Sequence, residues 1–272
     1  MDIYQDITCF YEKVKTEKTI IGQSLQKRNL YAVKVGEGKP VGIAVYAIHA
    51  REWISARLAL EHYRRGVYGS VWLIPLANPD GAILSQQGKK VIKNDEYKPF
   101  LSAYSDGELR LWKANARGVD LNVNFDARWG KGKQNVRRRG GENCVGGFPF
   151  SEPESRALRD FTLEIQPSYT VSFHTKGEEI YWYFGQPTKA ALRDFRIGKA
   201  LSQSTGYPLR LANGSVGGYK DWCIQTLGIP SYTVELGCDR WAHPLGESAY
   251  PEIKEKCADA LLVLSSAVKD IE

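Results

Sequence analysis

Nothing in this 272-residue chain is long and apolar enough to cross a membrane: no stretch of ~18 apolar residues occurs. The opening Met1-Asp2-Ile3-Tyr4-Gln5-Asp6 lacks a basic segment followed by an apolar run, so no secretory leader is visible and a cytoplasmic location is expected. No C-x-x-C occurs. The cysteines (Cys9, Cys144, Cys223, Cys238, Cys257) are odd in number and scattered, which reads as free thiols in a reducing compartment. No internal repeat, linker or low-complexity tract interrupts the chain. The net charge of +6 is mild, and the basic groups Lys131-Gly-Lys133 and Arg137–Arg139 lack interleaved aromatics. That argues for a solvated loop or an acidic-substrate site, not a nucleic-acid surface.

What is present suffices for a sizeable core. Apolar residues make up 43% of the chain, and one domain spanning 1–272 is expected. Residues 1–20 read as an N-terminal amphipathic helix packed on it. Strands are expected over 28–36, Val41–Ile48, Ser70–Leu76, Val119–Asn122, Tyr169–Phe173, Ile180–Phe184 and Ser231–Leu236. Helices are expected over Arg51–Arg65, from Ser151 (N-cap, with Glu154 completing a capping box), over Lys189–Thr205, Gly218–Leu227 and Glu247–Val268. Asn78-Pro-Asp-Gly81 reads as a turn, 84–115 as an irregular polar excursion, and 127–148 as a surface loop. Alternating strands and helices imply an α/β fold, a mixed and mostly parallel sheet flanked by helices on both faces.

In such sheets ligands sit beyond the carboxyl ends of the strands. Of the four histidines, His49 and His174 fall just past predicted strands, and Glu52 follows His49 at a spacing that lets both side chains meet. Imidazole and carboxylate are good zinc ligands, and three of them leave a position open for water. His62 reads as a surface or packing residue and His243, before Pro244, as a loop residue. Glu235 lies in an apolar strand, Tyr232-Thr-Val-Glu-Leu236. A carboxylate there is costly unless paired, for instance with Arg240, or functional as a base of raised pKa.

Several motifs occur in a fixed order. Ile21-Gly-Gln-Ser24 precedes Arg28 and Leu30, then come Ile48-His-Ala-Arg-Glu-Trp53 and Leu76-Ala-Asn-Pro-Asp-Gly81. Gly118-Val-Asp-Leu-Asn122, Phe173-His174, and Gly217-Gly218 through Asp221-Trp222 to Glu235 complete the series. From about residue 20 to its end the chain resembles the zinc carboxypeptidase family. The resemblance implies one zinc ion on His49, Glu52 and His174, with Glu235 as general base. It also implies that Asp120 orients a zinc-bound histidine, that Asn122 binds substrate, and that a cation stabilises the oxyanion.

Departures from the family narrow the reading. The family grips a terminal carboxylate through Asn-Arg-Asn, and here the segment is Asn122-Val123-Asn124. Its oxyanion arginine, after a tryptophan, corresponds to Lys113, with Arg117 as a second candidate. The position of its mobile tyrosine is Asn213, so that role is not carried over and Asn213 stands only as a polar group near the substrate. Lys220, two before Trp222, is either a solvent-facing helix lysine or a pocket residue favouring an acidic group. With His174-Thr-Lys-Gly-Glu-Glu-Ile-Tyr-Trp182, these features resemble bacterial γ-D-glutamyl–diamino acid (meso-diaminopimelate) peptidases. That resemblance implies hydrolysis of a peptidoglycan-derived peptide, whose carboxylates would meet Lys220, Arg128 and Arg137–Arg139. The alternatives are a conventional metallocarboxypeptidase, a zinc deacylase or amidase, and a non-catalytic muropeptide-binding protein. No membrane, nucleic-acid or obligate protein partner is expected.

Overall fold

Strands that are apolar on both faces can be buried only between two helical layers, and the sheet centre is built that way. A computed structural model describes residues 2–91, 96–212 and 214–270. Its strands are β1 (Lys18–Gln23), β2 (Asn29–Gly36), β3 (Val41–Tyr46), β4 (Ser70–Ile74), β5 (Tyr169–Thr175), β6 (Glu179–Tyr181), β7 (Leu209–Arg210) and β8 (Ser231–Leu236). They form one mixed sheet in the order β1-β2-β4-β3-β5-β8-β6-β7. The central four, β4-β3-β5-β8, are parallel, and β1, β2 and β6 join antiparallel.

The α-helices among the described residues are α1 (Ile3–Lys13), α2 (Ser55–Arg65), α3 (Pro79–Gln87), α4 (Lys98–Ser102), α5 (Asp106–Arg110), α6 (Pro153–Ile165), α7 (Thr188–Thr205), α8 (Tyr219–Trp222), α9 (Tyr250–Cys257) and α10 (Ala260–Lys269). Alternate strand residues feed two cores. Ala44 and Tyr46 pack with α1, α2, α7, α9 and α10, whereas Ile43 and Val45 pack with α6 and α8. No helix among the described residues is long and apolar enough to span a membrane.

The connection from β3 through α2 places β4 on one side of β3, while β5 and then β8 lie on the other. The crevice between the carboxyl ends of β3 and β5 is therefore where the strand order reverses. Register aligns these ends: Tyr46 pairs with Phe173, and His174 pairs with Glu235.

Several local expectations are corrected. The N-terminal helix stops at Lys13, where Val14 turns extended, and residues from Lys18 pair with β2. Thr19-Ile20-Ile21 favours a strand over another helical turn. Asn78 starts α3: its side chain accepts from the Gly81 N–H, and Pro79 occupies the first turn. The excursion after residue 84 has its own small core, in which Leu84, Leu101 and Leu109 surround Trp112. Val119–Asn122 is no strand; Asp120 caps a 3₁₀ turn over Leu121–Val123. The cap position of α6 is Glu152, because the Ser151 hydroxyl is engaged with the Glu152 and Asn124 side chains. The final helix breaks into a short 3₁₀ turn, α9 and α10, with Asp259 between the last two.

His62 belongs to the core. Its Nε2 donates to the Cys257 carbonyl at 2.8 Å, leaving Nδ1 to accept from the Tyr46 hydroxyl. Burial pushes its pKa down from 6.5 to about 4, so the fold holds it neutral. Its contribution is complete above pH 6.5 and is lost as pH falls towards 4, at most on the order of 3 kcal/mol. Denaturation of wild type and His62→Gln across that window measures it. The wild type loses stability more steeply on acidification, and parallel profiles contradict this.

Candidate metal centre and adjoining cavity

The end of β3 leads through Ala47 and Ile48 to His49, and the chain then turns through a 3₁₀ segment, Ala50–Glu52, before α2. That turn brings the Glu52 carboxylate back onto the His49 ring: Nδ1 of His49 and Oε1 of Glu52 are 2.9 Å apart. On β5, Nδ1 of His174 lies 2.9 Å from the other oxygen, Oε2, and 3.1 Å from Nδ1 of His49. All three side chains are buried. The trio sits close enough to hold one metal ion.

Electrostatics fit a cation at that point. Nε2 of His49 faces Oδ1 of Asp120 at 3.3 Å. A proton held there leaves the Nδ1 lone pair directed at Glu52 and His174. Two imidazole nitrogens and a carboxylate then face one another in a dry site, an arrangement that a divalent ion stabilises. Burial disfavours charge on Glu52, but His49 and His174 outweigh it and hold the carboxyl well below its usual range. Burial also opposes the His49 imidazolium, yet Glu52 and Asp120 raise its pKa to about 9. Burial dominates at His174 and lowers its pKa.

Asp120 is fixed from several sides. Oδ1 accepts from the Asn122 N–H at 3.0 Å, Oδ2 accepts from the Asn143 N–H at 3.1 Å, and the Lys113 ammonium is 3.7 Å from Oδ2. Such a carboxylate orients the histidine and fixes which nitrogen carries the proton.

A cavity of about 420 Å³ opens from His49 and is lined by Glu235, Lys113, Asn122 and Lys220 among others. Burial, followed by the Glu52 charge, raises the Glu235 pKa to about 8. The structural alternative for Glu235 is removed, because Arg240 pairs with Glu252. Burial opposes the Lys113 charge, but Asp120 and Glu52 outweigh it and raise its pKa. Asn122 Oδ1 accepts from the Tyr219 N–H at 3.1 Å. Gly217 (φ +89°) and Gly218 allow this loop to lie against the start of α8, since side chains there would meet Val123 and Asn122.

Other expected site residues lie elsewhere. Arg117 turns away to Glu152 and the Tyr97 hydroxyl and lines a separate cavity with Arg137 and Arg139. It is therefore not the cation beside the metal centre. Arg128 does not line the metal cavity, and its guanidinium stacks over Phe184 with 4.6 Å to the ring centroid. Asn213 lies outside the described residues. Lys220 is a cavity residue, 6% exposed, and not a solvated helix lysine.

Thr233, Tyr181, Gln134 and Ser215 also line the cavity and were not singled out from sequence. Thr233 carried a usable signal: it lies two residues before Glu235 in one strand, hence on the same face. Gln134 and Ser215 sit on loops, where no periodicity marks them.

Asp120→Ala is expected to lower zinc affinity about 10- to 100-fold, because His49 loses its orienting partner. Chelator competition on purified protein measures this, and unchanged affinity would show that Asp120 does not act on the site.

Comparisons agree with this geometry. The family model for zinc carboxypeptidases, peptidase M14, matches residues 11–258. A γ-D-glutamyl-L-diamino acid endopeptidase 1 from Lysinibacillus sphaericus is 31% identical over 254 residues, covering 84% of this chain and 62% of that protein. This chain therefore spans less than two thirds of that relative. Carboxypeptidase A from Helicoverpa armigera shares the fold with a TM-score of 0.76 at 21% identity, over 98% of this chain and 71% of that one. Murein-tripeptide amidase MpaA from Escherichia coli O157 superposes with a TM-score of 0.63 at 22% identity, over 96% of this chain and 95% of that one. With three side chains at the strand ends that could hold a metal and residues 11–258 matched, the chain belongs to the zinc carboxypeptidase family.

Proposed function

We propose that the protein hydrolyses the γ-D-glutamyl–diamino acid bond of peptidoglycan-derived peptides. The observation that carries this reading is the placement of charge around the cavity. Val123, where the family has a carboxylate-gripping arginine, is buried and apolar, whereas a lysine, Lys220, stands in the cavity wall. A cavity without that arginine but with a buried lysine suits a substrate whose acidic group lies on the residue after the cut. The Lysinibacillus relative, named for γ-D-glutamyl-L-diamino acid hydrolysis, supports the same substrate class.

His49, Glu52 and His174 would hold the zinc, which when bound supplies Lewis-acid polarisation of a carbonyl and activation of water. Glu235 takes the proton of the attacking water and delivers it to the leaving amine. Burial raises its pKa above the ordinary carboxyl range, the direction that lets one carboxyl take a proton and return it. Lys113, beside His49 in the cavity, offers its ammonium to the developing oxyanion. Asn122, fixed by the Tyr219 N–H, contributes its remaining polar atoms to substrate.

The test is mass spectrometry of muropeptides digested by the zinc-loaded protein. Release of the diamino acid portion from D-glutamate is expected. Ordinary peptides trimmed at their C-termini, with muropeptides left intact, would sink the substrate assignment. Glu235→Gln is expected to lower kcat by about 10²- to 10⁴-fold. Lys113→Ala is expected to cost about 10²- to 10³-fold in kcat, while Arg117→Ala leaves kcat in place. The reverse ranking of Lys113 and Arg117 would overturn the oxyanion assignment.

A further inference from the structure

Arg137 and Arg139, expected from sequence to meet the substrate, do not line the metal cavity. With Arg117 they line a second cavity of about 360 Å³, bounded also by Cys144, Phe148 and Glu152. Asn143 lines a space shared with His49 and Asp120, while the next residue, Cys144, lines the second cavity. One stretch of chain thus separates the two. Three guanidinium groups border the second cavity against a single carboxylate, Glu152. That carboxylate is already committed: Oε1 accepts from the Ser151 hydroxyl at 2.9 Å and Oε2 from the Asn115 amide at 2.8 Å. Arg117 lies 3.6 Å from it. Among the described residues, neither Arg137 nor Arg139 pairs with a carboxylate.

The loop carrying these arginines is held in place. At its base the Val136 N–H donates to the Asn143 carbonyl at 3.0 Å, and the Val145 N–H donates to the Val136 carbonyl at 3.1 Å. Midway, the Gly140 N–H donates to the Gly118 carbonyl at 3.1 Å. The Arg137 guanidinium stacks on Trp129, with 4.1 Å to the ring centroid. Stacking uses the face of the group and leaves its in-plane N–H donors for a ligand. Arg117 donates to the Tyr97 hydroxyl at 3.3 Å. Donors fixed in advance lose little freedom on binding. Several guanidinium forks around one small space suit an anion with several oxygens and about two charges, which describes a phosphate better than a lone carboxylate. Phe148, 61% exposed, offers an apolar face at the same cavity.

The loop also supports the reacting side. The Gly141 carbonyl accepts from the Lys113 and Ala114 N–H groups at 2.8 and 2.9 Å, and the Asn143 N–H holds Oδ2 of Asp120. An anion that braces the loop therefore braces the backbone behind Lys113 and Asp120 as well.

We propose that Arg117, Arg137 and Arg139 form a phosphate-binding site separate from the metal centre, for a phosphate that is either free or the monoester of a larger molecule. The proposal stands independently of the γ-D-glutamyl assignment.

The experiment is isothermal titration calorimetry of the zinc-loaded protein with inorganic phosphate, at constant ionic strength and about pH 7.5, where phosphate is largely dianionic. One site is expected. Arg137→Gln and Arg139→Gln are each expected to weaken binding about tenfold. Arg138→Gln removes the same charge from a residue that does not line the cavity, and is expected to change affinity by less than about twofold, since solvent and salt screen it. All three side chains are exposed, so these variants keep the fold. Phenyl phosphate separates the two sources. Binding tighter than that of inorganic phosphate, with the gain lost in Phe148→Ala, marks a monoester, and equal binding marks free phosphate. Absence of binding overturns the proposal, as does equal weakening by Arg138→Gln, which marks general attraction to a basic surface. Affinity unchanged in both Arg137→Gln and Arg139→Gln overturns it too, by placing the phosphate on the metal.

Discussion

Two imidazole nitrogens and a carboxylate, buried face to face at the ends of β3 and β5, form the arrangement on which the rest of the site depends. Taking such polar groups out of water is costly unless a proton or a cation is held between them. The parallel sheet holds them in place regardless. β3 and β5 are locked by five residue pairs, and the aromatic stack of Tyr46 on Phe173 fixes the two strands just before they deliver His49 and His174. Behind that stack, neutral His62 ties Tyr46 to the α9 carbonyl of Cys257. The core stabilised by that histidine is therefore the floor of the metal centre.

Around the trio, charge is graded outward. Asp120 lies against His49 through one oxygen and faces the Lys113 ammonium with the other. Glu235 enters from the next strand, opposite His174, in a setting dry enough to raise its pKa. Further along the wall Lys220 and Asp221 form a buried ion pair.

Sequence made the centre of this structure readable because its signals are local. Val41–Ile48, Tyr169–Phe173 and Ser231–Leu236 are apolar runs whose length and flanks mark buried strands, and the chemistry sits at their ends. What sequence left unread depends on contacts distant in the chain. Asn78-Pro-Asp-Gly81 has turn composition, yet the fold uses Asn78 as a helix cap. Residues 84–115 looked irregular because their short helices are held by a private core around Trp112 and not by a long amphipathic period. Lys113, aligned after Trp112, and Arg117, a second candidate less well aligned, both remained open from sequence. The Arg117 contacts with Glu152, thirty-five residues onward, and with the Tyr97 hydroxyl turn it from the cavity. The buried state of Lys220 was equally hidden, since a four-residue helix shows no face from which burial could be inferred.

The central claim is that the ends of β3 and β5 form the zinc site. Anomalous diffraction at the zinc edge from crystals of the zinc-loaded protein tests it most directly. The account predicts one strong peak bound by Nδ1 of His49, Nδ1 of His174 and the Glu52 carboxylate, each at about 2.0–2.2 Å. A different trio among the described residues, Glu178, Cys238 and Glu252, also lies within ligand reach. A peak there, with none between His49 and His174, would contradict the account.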